Sequence, residues 1–190
     1  MADYQQAFNY MMDNEDASRS GAITPDPTAD NPTARARFGL NSASHPDLVE
    51  AGYFTFNPDA TPKIPSADAL ETAASVYKIQ YWVPIGGYQI ICQDIANKFF
   101  DLAVNTGTVE ASKIAQRAAN QCLTPVAVGY LPLAVDGIAG SKTIEALNAA
   151  NPEDLLPAIK SYACRFYKDV AFRQKWPARK LAALLSRANR

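Results

Sequence analysis

Carboxylates are the groups through which this chain could do chemistry. His45 is the only histidine, which excludes zinc sites built on two imidazoles and removes the commonest general base. Cys92, Cys122 and Cys164 are odd in number, far apart and set in segments that read as helical, the usage of buried reduced thiols rather than disulfides. A cysteine nucleophile would need His45 beside one of them. No glycine-rich phosphate loop follows a strand pattern, so the reading calls for no cofactor and no metal. Among the carboxylates, Glu15 stands out by position. Tyr4, Phe8, Met11 and Met12 recur at spacings of three and four, the mark of one buried helix face, and Glu15 continues that stripe. Burial in an apolar face disfavours the charged form of a carboxyl group, which suits a general acid that must hold a proton near neutral pH. The plainer alternative is a helix-end glutamate that bends into solvent, because Asn14, Asp16 and Ser18 place the helix end nearby.

Cleavage of a glycosidic bond pairs such an acid with a second group that activates water or stabilises the cationic sugar. Asp26 and Asp30 follow Glu15 closely enough for their loop to fold back across a cleft, although either also suits a turn. Asp101 and Asn105 fall one helical turn apart on one face. In the functional reading they line the cleft opposite Glu15, with Thr106 at the helix end; in the plainer one they form an internal hydrogen-bonded pair that ties the helix to the long loop. Tyr53, Phe54, Phe56, Tyr81 and Trp82 supply rings able to stack on sugars, and each also reads as core.

The elements that must position these groups are mostly helices. The first runs from about Asp3 to Glu15. From Ala17 to Pro65 the chain is rich in Pro, Asp, Asn and Thr; a loop of that length is usually functional or holds short pieces of sheet. Ala51 to Asn57 is the best strand candidate, and one small hairpin at most is expected. Ser66 after Pro65 is a good N-cap for a helix carrying Leu70, Ala73, Ala74 and Tyr77, which ends before Pro84. Ile91, Ile95, Phe99 and Leu102 mark a central buried helix stopped by Gly107. Ala111, Ala115, Ala118 and Cys122 give the next helix a face of small residues, and Leu123 to Gly140 reads as a loop. Further helices are expected from Ser141 to Ala150, from near Pro157, which lacks the amide donor of a helix interior, and from Pro177.

With 190 residues and 48% hydrophobic content, the chain can bury a full core, and disorder is excluded. Its formal charge of −1 hides an asymmetry. Residues 160–190 hold nine Lys and Arg against Asp169 alone, a net of +8 that leaves −9 for the rest. A basic face of that kind could attract an anionic polymer, a cell wall before a nucleic acid or a membrane surface, or it is simply the solvated face of two amphipathic helices. Residues Met1 to Asn14 lack a basic region followed by an uninterrupted apolar run, so no conventional signal peptide is visible, and no run of about 18 apolar residues predicts membrane insertion. Synthesis in the cytoplasm is the expectation.

Several blocks together carry a resemblance. They are Glu15 after an apolar helix, Phe38-Gly39-Leu40, Val76-Tyr77-Lys78-x-x-Tyr81-Trp82-x-Pro84-Ile85 and Phe100-Asp101-x-x-Val104-Asn105-x-Gly107. In that order they resemble the glycoside hydrolase family 108 muramidases. Ala115-Gln116-x-Ala118, Val135-Asp136-Gly137-x-x-Gly140-x-x-Thr143-x-x-Ala146-Leu147 and Trp176-x-x-Arg179 are similar to the peptidoglycan-binding region that accompanies that catalytic part. Two departures are visible: the family's Glu-Gly-Gly is here Glu15-Asp16-Ala17, and the loop to Gly39 is longer than usual.

The resemblance implies a mainly α, lysozyme-like fold, with a catalytic region over residues 1–100 and a helical peptidoglycan-binding region over 101–190 packed on it. It implies an N-acetylmuramidase that cuts the bond between N-acetylmuramic acid and N-acetylglucosamine. Glu15 is then the proton donor, Asp26 or Asp30 supplies the second group, and Tyr81, Trp82, Asp101, Asn105 and Thr106 hold substrate. Such enzymes act on the wall from the periplasm or outside the cell and often leave through a holin-type partner, as in an endolysin or a secretion module. The rival expectations are a catalytically inactive wall-binding or secretion-accessory protein and a lytic transglycosylase.

Overall fold

The computed structural model describes residues 1–15, 18–123 and 131–190. Asp16 and Ala17, the departure from the family pattern, lie outside the described residues, as does the 124–130 part of the expected Leu123–Gly140 loop. The architecture is mainly α, with eight α-helices and one three-stranded sheet among the described residues. No described helix is long and apolar enough to cross a membrane. A division at residue 100 would cut a helix; by packing, the chain separates into one unit of residues 12–77 and another of residues 1–11 with 78–190.

Helix α1 (Tyr4–Glu15) forms where the apolar stripe predicts it, and Ala7, Phe8, Met11 and Met12 are fully or almost fully buried. Its first turn is capped by Asp3, whose carboxylate accepts from the Gln6 amide at 2.8 Å.

The unit of residues 12–77 holds the sheet. Strands β1 (Thr24–Pro25), β2 (Arg35–Arg37) and β3 (Leu40–Asn41) pair antiparallel in that order, with Thr24 opposite Ala36 and Arg37 opposite Leu40. Phe38 and Gly39 join β2 to β3 with φ of 49° and 76°. Positive φ at both central residues is the inverted turn whose twist matches a tight hairpin. The sheet therefore exceeds the single hairpin expected. The expected strand over Ala51–Asn57 is instead a turn, touching sheet geometry only at an isolated bridge between Phe56 and Pro62. Tyr53 and Phe54 are consecutive and both buried, which a strand alternating between two faces cannot provide.

With so little regular structure, the unit satisfies its interior carbonyls with a side chain. Arg37 is 1% exposed. Its guanidinium donates to the carbonyls of Gly21 at 2.9 Å, Tyr53 at 3.2 Å and Ile64 at 2.9 Å, and it lies over the Tyr53 ring at 5.3 Å. Five donors in a rigid fork suit this role as an ammonium would not. Short helix α2 (Pro46–Glu50) begins after His45, and α3 (Ser66–Tyr77) buries Ala69, Ala73 and Tyr77.

His45 is 8% exposed, and burial pushes its imidazole below the ordinary value, only partly opposed by Asp47. The unfolded chain therefore takes up the proton first as pH falls. The contribution of His45 to stability is complete above about 6.5 and declines from there down to its folded value. We expect the unfolding midpoint to drop between pH 7 and 5.5, with a His45→Gln variant losing that slope; an unchanged slope in the variant would assign it elsewhere.

The second unit is helical. A π-turn over Lys78–Trp82 and a 3-10 turn over Gly87–Gln89 lead into α4 (Gln93–Thr106), stopped as expected at Gly107 with φ 82°. Ile91, expected on its buried face, precedes α4 and is 66% exposed. The amide of Ile91 is instead held by Asn148 at 2.9 Å. Helix α5 (Thr108–Leu123) packs on α4 and on α6 (Ser141–Ala149) and α7 (Pro152–Gln174), through the small face of Ala111, Ala115 and Ala118. Helix α8 (Ala178–Asn189) packs on α7. Pro157 sits inside α7 rather than at its start. Asn151 caps the helix by accepting from the Glu153 amide at 3.1 Å, and Pro152 supplies a helix-ready first residue, so the helix starts a turn earlier and tolerates one absent donor. The three cysteines are free, and each is half-buried rather than buried.

Candidate functional site

Glu15 closes α1 and is half-buried. Against it lies the β2–β3 turn: a Cβ placed on Gly39 would stand 3.5 Å from the Glu15 Cβ and only 2.5 Å from the Tyr77 hydroxyl. That hydroxyl donates to the Phe38 carbonyl at 3.2 Å. The end of α1, the tip of the hairpin and the end of α3 therefore meet at one point, and only glycine fits there. Both Phe38-Gly39 and Tyr77 fall in the sequence blocks, but nothing in their spacing shows that they converge on Glu15.

We expect Gly39→Ala to be costly for two reasons, the left-handed backbone and the collision with Tyr77. A methyl here should lower stability by about 1–2 kcal/mol and any activity that depends on Glu15 by about 100-fold, as a displacement of about 1 Å at a reacting group does. Activity equal to the parent's at matched folded fraction would show that the turn does not hold Glu15.

Asp26 and Asp30 are both exposed on the β1–β2 side of the sheet. Asp26 is fixed: its amide donates to the Ala34 carbonyl at 2.9 Å, and its carboxylate accepts from the Asn41 amide at 2.6 Å. Asp30 belongs to the loop that the Thr28 to Asn31 hydrogen bond closes.

Two expected substrate contacts are corrected. Trp82 is 1% exposed, packed with Tyr4 and Phe100 at ring separations of 5.6 Å, so its ring faces protein and not ligand. Asp101 is fully buried. Its carboxylate lies 2.9 Å from the Arg187 guanidinium and 3.5 Å from Lys98, and Lys98 also donates to the Arg187 carbonyl at 2.7 Å. Burial pushes the Lys98 ammonium down, opposed by Asp101. This is a structural ion cluster joining α4 to α8 rather than a sugar-binding group. Tyr81 is half-buried and Phe56 is 44% exposed, while Tyr53 and Phe54 are core. Asn105 and Thr106, both half-buried, line a groove of about 390 Å³ with Phe166, Tyr167, Trp176 and Lys180.

Two sequence blocks in the helical unit come together at Gln116, which is 1% exposed. Its amide donates to Asp136 at 2.7 Å and to the Ile138 carbonyl at 3.1 Å, and its oxygen accepts from the Gly137 amide at 3.0 Å. Gly137 has φ 83°, so the Asp-Gly turn needs its glycine. The Ile138 amide and then Gln116 hold the Asp136 carboxyl below its ordinary range.

Comparison with known proteins divides the chain into two matched regions. Residues 29–107 match the family model Glycosyl hydrolase 108 and residues 110–188 match Predicted Peptidoglycan domain. The change from one to the other falls at the junction of α4 and α5, and the first match begins after Glu15. No curated protein matches the chain. Among solved structures, that of Brucella abortus SagA is similar in fold, with a TM-score of 0.56, 16% identity, and 97% of this chain and 92% of that one covered. Adjacent and in order, residues 29–107 are thus a glycosyl hydrolase 108 region and residues 110–188 a predicted peptidoglycan domain that follows it.

Proposed function

We propose that this chain is an N-acetylmuramidase that hydrolyses the bond between N-acetylmuramic acid and N-acetylglucosamine, with Glu15 as general acid. The two family matches support a peptidoglycan hydrolase. The bond and the acid are our reading of the site, and the observation that carries them is the position of Glu15, half-buried and fitted against the glycine turn. Glu15 gives its proton to the glycosidic oxygen as the bond from that oxygen to the anomeric carbon breaks. Water then adds to the cationic sugar, and a second carboxylate takes up the proton. Asp26 and Asp30 are the candidates for that group. Asp26 is the more firmly held, because Asn41 fixes its carboxylate. Action on the wall puts this work in the periplasm or outside the cell.

The test is product analysis of digested peptidoglycan by mass spectrometry, with wild type and Glu15→Gln side by side. Hydrolysis adds one water and leaves reducing N-acetylmuramic acid ends, which the variant should not produce. Anhydro ends from the wild type would make the enzyme a lytic transglycosylase, and absence of glycan cleavage would make it a wall-binding accessory protein.

A further inference from the structure

The groove beside Asn105 and Thr106 is built entirely within the helical unit, from the last turn of α4 and the corner between α7 and α8. Its volume of about 390 Å³ lies within the range of small-ligand sites. Three features define what it would accept. The walls are apolar, with Phe166, Val170 and Leu184, and among the described residues no acidic side chain lines it. Lys180 is the one cation among the described residues that line it and stands over the Trp176 ring at 4.0 Å from the centroid. Among the described residues Lys180 has no ion pair. At the other end, the Tyr167 hydroxyl donates to the Asn105 carbonyl oxygen at 2.6 Å, which turns the Asn105 NH₂ donors away from Tyr167 and leaves them for an incoming carbonyl.

An unpaired cation, an aromatic and aliphatic wall and an amide donor select a ligand with a carboxylate, an apolar body and a carbonyl, that is, an N-acylated amino acid or short acidic peptide. A neutral sugar fits less well, because Lys180 covers one face of the indole on which a pyranose would stack. The +8 charge of residues 160–190 draws anions to this end of the chain.

We propose that this groove binds the carboxylate-bearing peptide stem of peptidoglycan, its carboxylate on Lys180, its side chain between Trp176 and Phe166, and an acyl carbonyl on Asn105. The proposal rests on peptidoglycan being the polymer recognised, but not on which glycosidic bond is cut. In it, the predicted peptidoglycan domain reads the peptide while the carboxylate chemistry works on the glycan.

The test is calorimetric titration of the full chain, as wild type and as Glu15→Gln. Three probes are used: an N-acetylated stem tetrapeptide with free carboxylates, the same peptide with its carboxylates amidated, and a peptide-free N-acetylglucosamine oligomer. We expect the acidic peptide to bind both proteins equally, amidation to weaken binding at least tenfold, and Lys180→Met and Trp176→Ala each to do the same. Lys180→Arg and Trp176→Phe should retain most of it, which separates a lost contact from a lost fold. Binding of the oligomer should not change in any of these variants. Equal affinity for free and amidated peptides, indifference to Lys180→Met, or binding of the sugar oligomer alone would overturn the proposal. If muramidase products are absent while the peptide still binds in this pattern, the bond assignment falls and the stem site stands.

Discussion

Replacing Glu15 with glutamine should leave the fold intact and lower turnover of cell wall by about 100- to 10,000-fold, the range that general acid catalysis contributes. Glutamine has the same shape, so it keeps the packing at the end of α1 and against Gly39. What it lacks is the transferable proton. The loss should appear in kcat rather than KM, since the proton matters only as the glycosidic bond breaks. Thermal unfolding of the variant and its affinity for wall should match the parent. A turbidity assay that shows undiminished clearing would remove Glu15 from the mechanism while leaving the family assignment untouched.

The second large effect is on stability. Arg37→Met should destabilise the unit of residues 12–77 by about 3–9 kcal/mol, because three interior carbonyls lose their donor at once and each unmet group costs about 1–3 kcal/mol. Against a typical total of about 5–15 kcal/mol, that is enough to unfold much of the unit at physiological temperature. Methionine fills similar space, so the loss reports hydrogen bonding rather than a cavity. Arg37→Lys should recover only part of it, since one ammonium cannot span the carbonyls of Gly21, Tyr53 and Ile64. Denaturant titration and the rate of proteolysis within residues 18–65 measure both. A midpoint that scarcely moves in Arg37→Met would mean that water takes over these carbonyls at little cost.

How far the sequence revealed this structure depends on the length scale of each signal. Helix α1 was legible because four apolar residues at helical spacing leave little choice, and α4 ends where Gly107 says it should. The Asp136-Gly137 block was legible as a turn, but its tie to Gln116 spans 20 residues and leaves no trace in local spacing. The sheet was hardest to read, since strands of two or three residues are too short to show an alternation. Tyr53 and Phe54 looked like a strand because aromatic residues favour strands, whereas tertiary burial decided otherwise. Asp101 illustrates the opposite error. A polar residue on an apolar helix invites a functional reading, and its partner Arg187 lies 86 positions away. For Glu15 the same inference rests on the apolar stripe alone, and neither the glycine turn against it nor Tyr77 from a helix read separately could be read from spacing.

The Lys98, Asp101 and Arg187 cluster gives the last turn of α8 a weight that its distance from α4 in sequence would not suggest. A protein ending at residue 186 would lose the guanidinium 2.9 Å from Asp101 and the carbonyl that Lys98 donates to, leaving this buried pair only the 3.5 Å contact with each other. Removing one partner of such a pair costs more than the pair contributes. Synthesis must therefore pass residue 187 before the helical unit can settle around Lys98 and Asp101.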